Sequence, residues 1–196
     1  MTGLGAGFAS PVRDAQAAFR CLLDAMARPG SIVVPRAPAA PPAPLPPAMA
    51  AVALTLLDAD TPLWLDDGAD AARAWLRFHC GCRLVADPGE AAFVFVTDGG
   101  RMPEHARLRA GSDEYPDTSA TLVVAVEALG SGEPLTLAGP GIDGAAELRV
   151  AGLPDRFVAE RATNHGLFPR GVDAMLVAGV RLAALPRSTA LMHRER

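Results

Sequence analysis

A chain of 196 residues, half of them hydrophobic and only 20% charged, has enough apolar material for one sizeable core and too little polarity for a disordered or fibrous protein. Its net charge of −4 and pI of 5.5 leave no basic excess to hold a nucleic-acid backbone or an anionic membrane. All 18 basic residues are arginine. Without lysine there is no side-chain amine for a Schiff base and none for a Walker phosphate loop.

The three cysteines, Cys21, Cys80 and Cys82, are an odd set that follows no secretory leader, which argues against a disulfide scaffold. No apolar run approaches the roughly 20 residues that span a bilayer, so a cytoplasmic protein is expected.

In chain order, Ser10 is a candidate N-cap and Pro11 suits a first helical turn. Ala15, Ala18, Phe19, Cys21, Leu22 and Met26 follow helical spacing, so a helix is expected from Ser10 to about Arg28, stopped by Pro29-Gly30. Ser31 to Val34 is β-branched and reads as a strand. Residues 37–47, rich in proline and alanine, have the composition of a linker. Only some 35 residues precede them, too few for a separate core, so a polyproline surface loop inside one domain spanning 1–196 is the expectation.

The apolar run that follows predicts a buried helix from Pro47 to Leu57. A strand over Pro62 to Leu65 and a helix over Ala69 to His79 come next. Strands at Leu84-Val85 and Ala92 to Val96, a surface helix over Pro103 to Arg109 and a polar loop over Gly111 to Ser119 complete the first half. The second half reads as short strands between tight turns: Ala120 to Val126, Leu135 to Leu137, Glu147 to Val150, Ala174 to Val177 and Val180 to Ala184. One helix, Pro154 to Thr163, interrupts them. This order predicts an α/β protein with a mixed sheet covered by helices.

Several stretches are candidates for chemistry. His79, Cys80 and Cys82 in FHCGC could donate to a metal, but the spacing lacks the usual two residues and no second cysteine pair completes a set, so no metal is expected. His105, His165 and His193 lie apart from any nucleophile elbow. The carboxylate pairs Asp66-Asp67 and Asp113-Glu114 sit in turn-like segments, where Asp is common for backbone reasons.

GPGI, with Gly139 and Gly141, ends a strand and offers amides for an anion. It leads into DGAAELRV, a further strand, whereas a phosphate loop feeds a helix, which favours a plain turn. Arg170 and Asp173 in NHGLFPRGVD, and Arg187 with Thr189 in LPRST, form a possible anion or interface set that would equally suit turns and strand ends.

Taken together, FASPVRDAQAAFRCLLDAMARPG, DADTPLWL, LRFHCGCRLV, PDTSATLVVAV, LTLAGPGI, FPRGVD and LPRST resemble, in order and across nearly the whole chain, the PhnH family. These are H subunits of the bacterial carbon–phosphorus lyase system for phosphonate use. Cys80, Cys82 and the 37–47 loop depart from the family pattern. The resemblance implies a three-layer α/β/α sandwich similar to the large domain of PLP-dependent transferases, but without PLP or another cofactor.

It also implies a homodimer in isolation that joins the G, I and J subunits. With G, I and the L subunit, the H subunit is implicated in moving the ribose triphosphate of ATP onto methylphosphonate with loss of adenine. The product is α-D-ribose 1-methylphosphonate 5-triphosphate. On this reading the motifs serve packing or an interface, and no catalytic residue is assigned. The alternative is a stand-alone enzyme or nucleotide- or phosphonate-binding protein with an anion site near Gly139, Gly141 and Arg187.

Overall fold

The computed structural model describes residues 5–192. Helix α1, Pro11–Ala27, begins at proline as expected, but the Ser10 side chain does not cap it. Instead Asp14 Oδ2 reaches back to accept from the Ser10 backbone N–H at 2.8 Å, which satisfies the entry from inside the first turn. Strand β1, Ile32–Val33, follows, and the Pro/Ala segment then runs without regular structure into α2, Pro47–Leu56. Leu45 within that segment is buried in the same core as Met49, so the segment is tied into the fold and does not separate two cores.

Strand β2, Leu63–Leu65, and helix α3, Asp70–Cys80, lead to β3, Phe93–Val96, and β4, Thr121–Ala125. Two expectations fail between them. Leu84 contributes only an isolated bridge to Leu63, and the surface helix expected over 103–109 is a single 3-10 turn at His105–Arg107. Met102, His105 and Leu108 are buried at three-residue spacing, so this segment lies flat against the sheet and does not rise from it as a helix.

The strand expected at 135–137 is the long β5, Ala128–Ala138, which pairs with β6, Ala146–Ala151. Its glycines, read as a turn, form an irregularity in the ladder between Leu129 and Glu133. Gly132 has φ +92°, and a Cβ there would sit 2.5 Å from the Val150 carbonyl oxygen. Helix α4, Phe157–His165, precedes β7, Asp173–Ala178, and β8, Arg181–Leu185. The last strand, β9, Ala190–Met192, which pairs with β5, was not among the expected elements.

The main sheet has six strands in the order β1-β8-β7-β4-β3-β2, with β2, β3, β4 and β7 parallel and β8 antiparallel to both of its neighbours, β7 and β1. Alternation along each strand sorts its side chains into two cores. Phe95, Val123, Met175 and Leu182 face α1, α2 and α3, whereas Val94, Leu122, Leu176 and Leu185 face the other way. Helix α2 is buried almost all round, as its unbroken apolarity demands.

The chain is thus α/β with a mixed sheet, but its third layer is not mainly helical. A second sheet, β6-β5-β9, covers the far face through Leu129, Leu137, Leu148 and Val150, with α4 beside it.

Candidate functional site

The four parallel strands give the main sheet two unlike ends. At the amino end, Asp173 opens β7 and Arg187 follows β8. Arg187 Nη2 donates to Asp173 Oδ2 at 2.6 Å, Nε and the backbone N–H both donate to Oδ1, and Nη1 donates to the Pro116 carbonyl. The guanidinium expected to meet an anion is thereby neutralised by a carboxylate in a two-pronged pair. A shallow hollow of about 400 Å³ beside it is bordered by Phe168, Pro169 and Ser188.

Beneath this pair lies Arg161, which sequence reasoning missed. It is fully buried and donates to the carbonyls of Val172 at 2.5 Å, Leu185 at 3.1 Å and Pro186 at 2.8 Å. Burial pushes its pKa down to about 10, with Asp173 opposing and Arg187 adding to the fall, so it stays charged at neutral pH. Asn164 closes the same loop, accepting from the Val172 N–H at 2.7 Å and donating to the Val172 carbonyl at 3.0 Å. The available signal was helical phase: Phe157, Arg161 and Asn164 share the buried face of α4.

The other expected residues lie around this end without converging on one point. Arg170 Nε is 3.0 Å from Asp113 Oδ1, close enough for an ion pair but not aligned as a hydrogen bond. Thr189 is buried, and its hydroxyl has no partner among the described residues. The GPGI turn is wedged against carbonyls: a Cβ at Gly139 would lie 2.7 Å from the Ser188 oxygen and one at Gly141, φ +82°, only 2.1 Å from the Ala27 oxygen. Gly139 and Thr189 are thus neighbours, while Gly141 sits on the carbonyl end of α1, whose partial charge is negative.

FHCGC also serves packing. His79 Nε2 is 2.9 Å from the Gly5 carbonyl oxygen and its ring lies tilted against Trp75, with centroids 4.6 Å apart. Burial pushes the Cys80 thiol up to about 12, and Cys82 Sγ is 4.0 Å from the Leu76 carbonyl. No group of three His, Cys, Asp or Glu side chains comes together among the described residues. His193 lies outside them. His165 Nδ1 is 3.3 Å from the Arg187 carbonyl.

At the carboxyl ends of β3 and β4 the sheet opens into a cleft of about 740 Å³, the usual place for ligands in open α/β sheets. Glu127 and Asp155 are exposed on its rim, with Asp98 beside them. Behind Thr97 and Asp98, which line it, lies Asp66, a carboxylate read from sequence as a turn residue. Asp66 is fully buried and accepts from Thr97 N–H at 2.6 Å, Thr97 Oγ1 at 2.8 Å and Asp98 N–H at 3.0 Å, locking the ends of β2 and β3 together. The lining carries three carboxylates against one guanidinium, that of Arg156, an excess of acceptors that suits hydroxyl or amine donors better than phosphate.

Between this cleft and α4, His105 Nδ1 meets Glu160 Oε2 at 2.7 Å, and Arg156 Nε holds Glu160 Oε1 at 3.2 Å. Burial lowers the His105 pKa. Glu160 opposes that shift, while Arg161 and Arg156 reinforce it. The ring is therefore neutral at physiological pH, with Nδ1 donating to the carboxylate and a lone pair left on Nε2.

Comparison with known proteins fits this picture of dense structural contacts. The family profile for bacterial phosphonate metabolism protein (PhnH) matches residues 6–192. A Rhizobium meliloti (strain 1021) protein, alpha-D-ribose 1-methylphosphonate 5-triphosphate synthase subunit PhnH, is 46% identical over 186 residues, covering 94% of this chain and 93% of its own. HtxG of Stutzerimonas stutzeri, provisionally named a C-P lyase subunit protein, is 37% identical over 174 residues, covering 89% of this chain and 84% of its own. With the motifs running in order through both ends of the sheet, the chain belongs to the PhnH family.

Proposed function

We propose that this chain is the H subunit of the carbon–phosphorus lyase system. With the G, I and L subunits it supports transfer of ribose 5-triphosphate from ATP to methylphosphonate, with release of adenine. The observation that carries this reading is the 46% identity, over 94% of the chain, to a protein named as a subunit of the corresponding synthase. The polar inventory supports a non-catalytic share of the work. Arg187, Arg161, Asn164 and Asp66 are occupied by the fold's own hydrogen bonds, and no nucleophile with a positioned base appears among the described residues.

In this reading residues 1–196 act as one domain in the cytoplasm, forming a homodimer alone and joining G, I and J in a larger assembly. No helix of the described residues is long and apolar enough to cross a membrane. The mixed sheet is similar in fold to the large domain of PLP-dependent transferases and works without that cofactor, a view supported by the complete absence of lysine. Gly139, Gly141, Arg170, Asp173, Arg187 and Thr189 then act as loop-packing or interface residues.

Co-purification with the G, I and J subunits of the same organism, followed by sizing, tests the proposal. Stable incorporation is expected, together with no heat of binding when ATP or methylphosphonate is titrated into the isolated chain. A chain that stays apart while the other three assemble, or that binds either ligand alone, would overturn it.

A further inference from the structure

The outer face of α1 carries both apolar and basic side chains. At about 100° per residue, Val12, Phe19 and Leu23 fall on one stripe, and Arg13 and Arg20 on a second stripe beside it. The buried face, carrying Ala18, Leu22 and Ala25, points to the sheet, so both stripes face solvent. Val12, Phe19 and Leu23 are 84%, 49% and 57% exposed. The apolar stripe runs about 16 Å along the helix, which fits the core of a protein interface of ordinary size.

The arginines indicate what would cover it. Eight of the sixteen arginines of the described residues lie within 3.6 Å of a carboxylate, and Arg13 and Arg20 are among the eight that do not. The acids on the same helix are engaged at home, Asp14 with the Ser10 N–H and Asp24 with Arg28 at 2.9 Å. A second copy docked antiparallel by this face across a two-fold axis would set the two arginine rows side by side, and like-charge juxtaposition is unfavourable. A chain of net charge −4 that keeps two arginines unpaired among the described residues along an apolar stripe is complementary to a partner with an apolar centre and a carboxylate rim. Arginine and aromatic side chains are also the groups most enriched where binding energy concentrates.

We infer that the α1 face formed by Val12, Phe19 and Leu23, flanked by Arg13 and Arg20, is the surface through which this chain docks onto a different, acid-rimmed protein subunit. The inference rests on the subunit reading above and assigns that reading a surface. The apolar stripe supplies the buried centre, and the arginine row fixes register by pairing with the partner's carboxylates.

The test pairs a Phe19→Asp, Leu23→Asp variant with an Arg13→Glu, Arg20→Glu variant, each co-expressed with the G, I and J subunits. These side chains are exposed, so melting and the oligomeric state of the isolated variants are expected to match the parent. Recovery in the assembly should fall about tenfold or more for both, the size expected for loss of hot-spot residues. Binding of the parent should weaken with salt and that of the arginine variant should not.

Undiminished assembly of either variant would overturn the inference while leaving the subunit reading intact. An altered homo-oligomer with normal assembly would overturn it in favour of a second copy. Parent binding to phosphatidylglycerol vesicles that disappears in the variants would overturn it in favour of a lipid surface. Failure of the parent itself to assemble would overturn both readings.

Discussion

The amino and carboxyl ends of the parallel strands are built from similar residue types to opposite effect. At the amino end, arginines and carboxylates meet at hydrogen-bond distance and are consumed: Arg187 by Asp173 and Pro116, and Arg161 by three carbonyls. At the carboxyl end, Asp66 and Asp98 are consumed, Asp98 by the Gly100 N–H and Arg101, but the rim carboxylates Glu127 and Asp155 make no hydrogen bond or ion pair among the described residues. The comparison teaches that charge in a loop motif is a poor sign of a ligand site. What counts is whether the fold has already matched the charge.

The sharpest way to break this contrast is at Arg161. Replacing it with Met strands the carbonyls of Val172, Leu185 and Pro186 in a dry interior, and a loss of at least about 3 kcal/mol is expected in urea unfolding. A loss below about 1 kcal/mol would mean that the amino end is not held by this residue, and the contrast would fail. Gly141→Val comes next. Its positive φ and the Ala27 oxygen 2.1 Å from a Cβ predict a loss of ~1–3 kcal/mol and a lower melting temperature. Unchanged stability together with lost ligand binding would instead make GPGI a binding loop.

Arg187→Ala tests the pair most visible in the sequence. Both side chains are mostly buried, and a loss of about 1–3 kcal/mol is expected, with a coupling to Asp173→Ala of about 1 kcal/mol or more in a double-mutant cycle. Intact folding with lost association would show that the pair serves a partner and not the loop.

These three residues also mark how much the sequence could reveal. LPRST and GVD were visible as strand ends, and GPGI as a turn, because proline, glycine and aspartate act locally. Their mutual contacts were not visible, since Asp173 and Arg187 meet only through the β7–β8 pairing. Arg161 was hidden for a related reason: a charged residue in a helix reads as surface unless its phase is set against the core.

The extent of β5 and the existence of β9 were lost because glycines and a short polar run masked strands that tertiary pairing enforces. By contrast α1, α2 and α3 were legible within a residue or two, since their apolar phase or near-complete apolarity is written along one continuous segment.

A gentler probe lies between the two ends, at His105. Burial holds its pKa below the ordinary 6.5, so the unfolded chain takes up the proton more readily than the folded one. The stability it contributes is present above that ordinary value and is lost as pH falls through 6.5 toward the lower folded pKa. Urea midpoints compared at about pH 7.5 and about pH 5 should fall further for the parent than for His105→Asn. Equal falls would mean that Glu160 compensates fully for burial.

The smallest expected effect is the one that most tests the idea of an unmatched end. Glu127→Gln with Asp155→Asn removes two exposed rim charges that hold nothing in place, so unfolding free energy should stay within about 0.5 kcal/mol of the parent. Removing them also lowers the negative potential over the cleft, because neither is offset by a paired arginine. A destabilisation approaching that of Arg161→Met would mean that the carboxyl end is held by its charges as the amino end is. A neutral result would leave those charges available to something outside the chain, because acids that contribute nothing to the fold are free to contribute to binding.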